Sequence, residues 1–236
     1  MRPVVLIAAN FLREHRWPVL ILFGWIVFTA LAAGDFGRGR PSVFDVIFYL
    51  EQQAIYISIF TAFLAATAIH NERKSRRILL VLSKAVSRAQ YLLAVVAGSW
   101  ATAVAYIVVF VLSANWLTAH AMLPNGGLWP FAILIMAGVM IATTVALFFS
   151  TFCNPYLATA LTGLLFCLPG FWHRHLYASI TYYPGFPVIL QFFSFRFQAD
   201  WAPRWAVVFA AMLESIVFWI LGVAVFDRRD IAVPVE

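Results

Sequence analysis

A carboxyl group inside an apolar run is the residue of this chain with the clearest chemical potential. Glu214 lies in the sequence Ala-Met-Leu-Glu-Ser-Ile, close to the middle of the last apolar run. An ionised side chain at the centre of a membrane-spanning helix costs roughly 2.5–3.5 kcal/mol on insertion scales, so it faces protein or water. We expect Glu214 either to act in a pathway or gate, or to bond a neighbouring helix as a neutral carboxyl.

A second polar group lies early in another apolar run and consists of Glu51, Gln52, Gln53 and Tyr56. Such a group either lines an exit path or touches water at the end of a helix. We predict a pathway or gating role for Glu51, Gln52 and Tyr56.

The histidines and cysteines offer weaker chemistry. His173 and His175 could suggest a metal or haem ligand pair, but residues two apart diverge on a helix and face opposite ways on a strand. Cys153 and Cys167 lie in or next to apolar runs and are expected to pack there rather than to form a disulfide. We predict no catalytic residue, cofactor or metal in this chain.

The elements that position these residues follow from composition. The chain has 236 residues, of which 64% are hydrophobic and 11% charged, against roughly 45–50% and about 25% in a soluble domain. About 20 apolar residues cross ~30 Å of hydrocarbon as a helix. We predict an all-α integral membrane protein, a single transmembrane domain over residues 1–236, with six spans at 18–33, 46–69, 91–117, 128–150, 155–171 and 205–226.

Two segments do not fit a simple crossing. Residues 1–17 mix apolar residues with arginines, which is typical of a helix lying in the membrane interface. Pro169 and Gly170 interrupt the fifth span, and the apolar part of the next segment, 186–197, would reach only ~18 Å as a helix. We predict that residues 172–204 form an external re-entrant segment packed against protein.

Orientation follows from the 16 Lys and Arg residues. Eleven lie in one set of connections: Arg2, Arg13, Arg16, Arg73, Lys74, Arg76, Arg77, Lys84, Arg88, Arg228 and Arg229. Only five lie in the other: Arg38, Arg40, Arg174, Arg196 and Arg204. The richer side is the cytoplasmic side, so both termini are predicted to be cytoplasmic. The net charge of +6 then indicates contact with anionic lipids rather than with nucleic acid.

The most informative connection is the cytoplasmic segment 70–90, which we call the coupling segment. It begins with His-Asn-Glu-Arg-Lys, and apolar residues on one helical face alternate with basic residues elsewhere. Such a helix can rest on the membrane or in a groove of a partner protein. The basic residues can also serve only to keep the loop inside, but Glu72 adds little to topology and is expected to contact a partner.

The coupling segment resembles that of the ABC type-2 permease family. Matching features are a glutamate just past the second span, a Leu-Leu-Ser-like step, a Val-Ser-Arg turn and an aromatic residue opening the third span. They fall on Glu72, Leu79, Leu82, Ser83, Val86, Ser87, Arg88 and Tyr91. The chain departs from the family where Arg76 and Arg77 replace the usual Gly-Thr pair, Ala85 replaces a proline, and Val95 replaces a lysine.

The resemblance implies a permease subunit that works with separate nucleotide-binding subunits and with a second permease chain, the same or related, in the bacterial inner membrane. No Gly-x-x-x-x-Gly-Lys-Ser/Thr phosphate loop occurs in the sequence, so ATP and magnesium are expected on the partner and the chain is not an enzyme by itself. Residues expected to couple to the partner are Glu72, Arg73, Arg76, Arg77, Leu79, Leu82, Ser83, Arg88 and Asn154.

The substrate is expected to be hydrophobic or amphiphilic: a lipid, a drug-like molecule or a glycoconjugate. Three alternatives stay open. One is the membrane subunit of a haem-exporter-like complex, and another is a non-transporting membrane anchor. The third is a lipid-modifying membrane enzyme, which would need a cluster of carboxylates, histidines or a metal at one interface.

Overall fold

A computed structural model describes residues 2–35, 40–74, 87–172, 184–198 and 200–228, and within these ranges all regular structure is helical. Eight helices follow in chain order: α1 Arg2–Glu14, α2 Arg16–Asp35, α3 Val43–Lys74, α4 Arg88–His120, α5 Leu128–Ser150, α6 Pro155–Trp172, α7 Phe186–Phe192 and α8 Trp205–Arg228. The predicted all-α class is confirmed for this part of the chain.

Among the described helices, five are long and apolar enough to cross a membrane: Arg16–Gly34, Val43–His70, Arg88–His120, Leu128–Ser150 and Trp205–Arg228. At 1.5 Å per residue each spans about 28 Å or more. These five helices make the chain a multi-pass membrane protein. α6 has 18 residues, but its described side chains cover only Pro155–Cys167, so a crossing at 155–171 stays a prediction.

The prediction that Pro169 and Gly170 interrupt the fifth span is wrong. α6 continues through both residues and ends at Trp172. Neighbouring helices and local adjustments can satisfy the backbone group that a proline leaves free, which is why prolines are tolerated in membrane helices.

α5 is the central helix of the bundle. In its most apolar stretch 78% of the residues are buried, against 22% in those of α2 and α8. The bulky side chains of Phe110, Phe131 and Ile135 are fully buried in the largest hydrophobic cluster. The apolar outer faces of α2 and α8 are left to face lipid.

α1 is a separate amphipathic helix of 13 residues, about 20 Å long, which is too short to cross. It packs on α4 through Phe11, and a Cβ atom added at Gly98 would lie only 2.6 Å from the Cδ1 atom of Phe11. Glycine at this position therefore permits the close approach of the two helices. On another side of α1, Val5 and Leu6 are exposed, as an interfacial helix requires.

α7 lies alongside the first half of α5 rather than over its end. Phe192 packs against Gly138, which follows the start of α5 by ten residues and hence by about 15 Å. Gly185 caps the start of α7 with φ of 74°, and a Cβ there would lie 2.5 Å from the ring of Phe166. Only glycine fits both this left-handed conformation and this contact. Residues 173–183 of the expected re-entrant segment lie outside the described residues.

Candidate functional site

Three hydrogen-bonded side chains, Thr29, Gln53 and Tyr106, form what we call the buried polar network. The Tyr106 hydroxyl donates to Gln53 Oε1 at 2.6 Å, and Gln53 Nε2 donates to Thr29 Oγ1 at 3.0 Å. Thr29 in turn donates to the carbonyl of Trp25 at 2.8 Å. Gln53 and Tyr106 are completely buried, so these bonds join α2, α3 and α4 in a medium that makes each one costly to lose.

The predicted pathway residues lie beside this network on α3. Gln52 Nε2 donates to the Tyr56 hydroxyl at 2.8 Å, and Arg196, which follows α7, interacts electrostatically with Glu51. A cavity of about 340 Å³ opens between α2 and α3, and its polar lining residues are Thr29, Arg40, Asp45, Tyr49 and Gln52. The structure thus joins Gln52 and Tyr56 by a hydrogen bond and places Gln52 in the lining of this cavity, while a role in transport stays a prediction.

The network predicts a measurable stability effect. Tyr106→Phe leaves the Gln53 carbonyl oxygen without its principal donor, and a buried unsatisfied group costs about 1–3 kcal/mol of unfolding free energy. Tyr156→Phe, at a 76% exposed position, should change it by less than about 0.5 kcal/mol. Titration with a denaturing detergent measures both.

A double-mutant cycle sharpens this test. Gln53→Leu removes the other partner, and replacing both partners by apolar groups is nearly neutral where removing one is costly. We therefore expect the double variant Tyr106→Phe with Gln53→Leu to lose less stability than the two single losses added together. Strict additivity would show that the two side chains do not interact.

The start of α4 and the end of α8 meet in a contact that we call the Arg88 junction. Ser87 caps α4: its Oγ accepts from Gln90 N at 3.2 Å, and its own N–H donates to Gln90 Oε1 at 3.2 Å. This reciprocal pair is a capping box. Arg88 then donates to the backbone carbonyls of Phe226 and Asp227, the latter at 3.0 Å.

The Arg88 junction satisfies a general need of helix ends. The last four carbonyls of a helix have no partner within it, and a cation near them is also favoured by the helix dipole. The Arg88 guanidinium lies over the ring of Phe226 at 5.6 Å as well. Arg88, predicted to contact a partner protein, is thus already bound to α8.

Asn154 has a structural task too. Its Oδ1 accepts a hydrogen bond from Leu157 N at 2.8 Å, and Pro155 follows it at the first position of α6. A capping asparagine followed by proline is a common helix start. This bond explains Asn154 without a partner, and its predicted coupling role stays untested.

For the remaining coupling residues no side chain is described. Glu72 and Arg73 lie in the last turn of α3, but their side chains are not among those described. Also outside the described residues are the five others: Arg76, Arg77, Leu79, Leu82 and Ser83.

Glu214 faces protein, as one of its two expected roles requires. Its Oε2 accepts a hydrogen bond from the backbone N–H of Gly185 at 3.0 Å, so α8 holds the turn at which α7 begins. Glu214 follows Trp205 by nine residues, about 14 Å along α8. The contact therefore lies well away from the residue at which α8 begins, near the middle of this helix.

The local sequence around Thr29 and Tyr106 does not mark them as members of a polar network. Thr29 is the one hydroxyl residue of α2, Tyr106 is one of several in α4, and no local motif marks either residue. The usable signal is that a glutamine in a membrane helix needs partners on its neighbours. Among the described residues there is no group of three histidine, cysteine or acidic side chains that could hold a metal ion.

Comparison with known proteins gives one positive result. A comparison with curated proteins finds no match. The family described as "Protein of unknown function (DUF2705)" matches residues 5–232. That range contains the whole bundle except the first three residues of α1. The chain therefore belongs to the DUF2705 family.

Proposed function

We propose that this chain is the membrane-embedded permease subunit of an ATP-driven exporter that resembles the ABC type-2 permeases. The observation that carries the proposal is the coupling segment, with its Glu72 to Tyr91 pattern, in the cytoplasmic connection between α3 and α4. ATP and magnesium are bound by a separate nucleotide-binding subunit that docks on this segment.

The geometry around the coupling segment supports a mechanical role. The segment connects α3 and α4, which have 32 and 33 residues. Its last residues include Ser87, which caps α4, and Arg88, which ties α4 to the end of α8. A displacement of the segment would therefore move α4 and α8 together, and the partner ATPase can act on the bundle through them.

The proposal includes a topology. Residues 155–171 form a sixth span, residues 172–204 re-enter the membrane from outside, and both termini face the cytoplasm of a bacterial inner membrane. The Lys and Arg distribution supports the orientation. The position of α7 beside the first halves of α5 and α8 supports a segment that enters the bundle without crossing it. A second permease chain completes the transporter.

The test is biochemical. The tagged chain, purified from its own host in a mild detergent and placed in lipid nanodiscs, should bring with it a protein that has a phosphate-binding loop and hydrolyses ATP. A non-transporting anchor would also retain a partner, but the rate of ATP hydrolysis by that partner would then not depend on the permease chain. Absence of such an ATPase, or hydrolysis equal with and without the chain, would reject the exporter.

A further inference from the structure

A second cavity lies between α7 and α8 and has a volume of about 240 Å³. Gly185, Pro187 and Val188 line one side. The other side belongs to α8 and consists of Ala206, Val207, Ala210, Ala211 and Glu214. Alanines leave the space open, and Glu214 is the only charged side chain among the described lining residues.

The carboxyl group in this cavity has capacity for another ligand. Oε2 accepts the Gly185 N–H, while Oε1 has no hydrogen-bond partner within the described part of the chain. None of the described residues that line the cavity is basic. A carboxylate between apolar walls is costly without a cation, and a positively charged nitrogen donates strong hydrogen bonds to it.

The mouth of the cavity is apolar. Ala206 and Ala210 are exposed on α8, as are the neighbouring Phe209 and Leu213. A hydrocarbon chain attached to a group at Glu214 can therefore leave the cavity along Ala210 and continue over the lipid-facing side of α8. The volume is below the ~300 Å³ at which pockets for drug-sized ligands begin, which favours a small head group, and the negative charge of a phosphate head would be repelled by the Glu214 carboxylate.

We propose that this cavity binds an amphiphile with a positively charged amino group on a single hydrocarbon chain, and that Glu214 accepts hydrogen bonds from the amino group. The inference that such an amphiphile is the substrate rests on the proposed exporter function. The inference that the cavity binds it does not depend on that function.

The test uses the full chain in detergent, with Cys153→Ala and Cys167→Ala, and dodecylamine as the probe. Reporter cysteines are placed in the cavity by Ala206→Cys or Ala210→Cys and away from it by Leu112→Cys, at a 66% exposed position of α4. Dodecylamine should slow the reaction of both cavity cysteines with N-ethylmaleimide and leave the Leu112→Cys variant unaffected. Dodecanol, which has the same chain without the charge, should need at least about tenfold more for half protection.

Glu214→Gln keeps the shape and removes the charge, so it should abolish this difference between dodecylamine and dodecanol. Equal protection by both compounds, unchanged protection in the Glu214→Gln variant, or no protection of either cavity cysteine would each overturn the site. The measurement needs no ATPase, so loss of the exporter proposal would show separately, as failure to recover a nucleotide-binding partner.

Discussion

The variant Glu72→Lys with Leu79→Asp is expected to lose its nucleotide-binding subunit completely while still entering the membrane. Glu72→Lys reverses the charge at the one acidic position of the coupling segment, and Leu79→Asp places an acidic residue on its apolar face. Truncating one partner of a buried charged pair costs 2–5 kcal/mol or more, and reversal costs at least as much. Together with an acidic residue in the apolar contact, this lowers affinity by more than about a thousandfold. Quantitative copurification from detergent measures it.

A matched control changes the same charges at the opposite end of the bundle. Asp200 and Met122 are exposed there, and Met122 has φ of 55°, a conformation that aspartate tolerates. Asp200→Lys with Met122→Asp should retain the ATPase fully. Normal copurification with the Glu72 and Leu79 variant, or equal loss in both variants, would refute the coupling segment as the docking element.

Much of the fold can be predicted because the membrane imposes it. A helix in lipid must be apolar over its whole crossing, so hydropathy alone places α5 at residues 128–150, where the structure has it. The predicted starts of α3 and α4 were three residues late. In both cases a local signal was present: Ser42 and Asp45 bond each other at the start of α3, and Ser87 and Gln90 do so before α4.

Contacts between distant parts of the chain could not be predicted in this way. Gln53 and Tyr106 are 53 residues apart, and Arg88 binds carbonyls 138 and 139 residues later. The local sequence around Gln53, Tyr106 or Arg88 does not predict the partner of that residue, because the packing of the helices determines which residues meet. Glu214 was the easier case because the cost of a carboxylate inside a span predicts some partner, although not that the partner is the backbone of Gly185.

Arg88 of the Val-Ser-Arg turn can act in either of two ways, and the Arg88→Ala variant distinguishes them. If Arg88 contacts the ATPase directly, Arg88→Ala should weaken copurification. If Arg88 acts by tying α4 to α8, the variant should bind the ATPase normally and lose coupled activity. The junction comprises two charge-assisted hydrogen bonds at a half-buried site, and we expect its loss to cost about 2 kcal/mol of unfolding free energy.

We expect the second outcome: normal binding, with ATP-dependent transport reduced at least about tenfold, because the displaced coupling segment no longer carries the end of α8 with it. The transport rate of Arg88→Lys should lie between those of the unmodified chain and of Arg88→Ala, since an ammonium keeps the charge but lacks the planar fork that can reach two carbonyls at once.

The control is Arg228→Ala, which removes an arginine from the same end of α8 without touching the junction, and should transport normally. Equal defects in Arg88→Ala and Arg228→Ala would reduce the effect to loss of positive charge at the cytoplasmic surface. Normal transport with Arg88→Ala would mean that α4 and α8 move independently, and that the coupling segment acts on α3 and α4 alone.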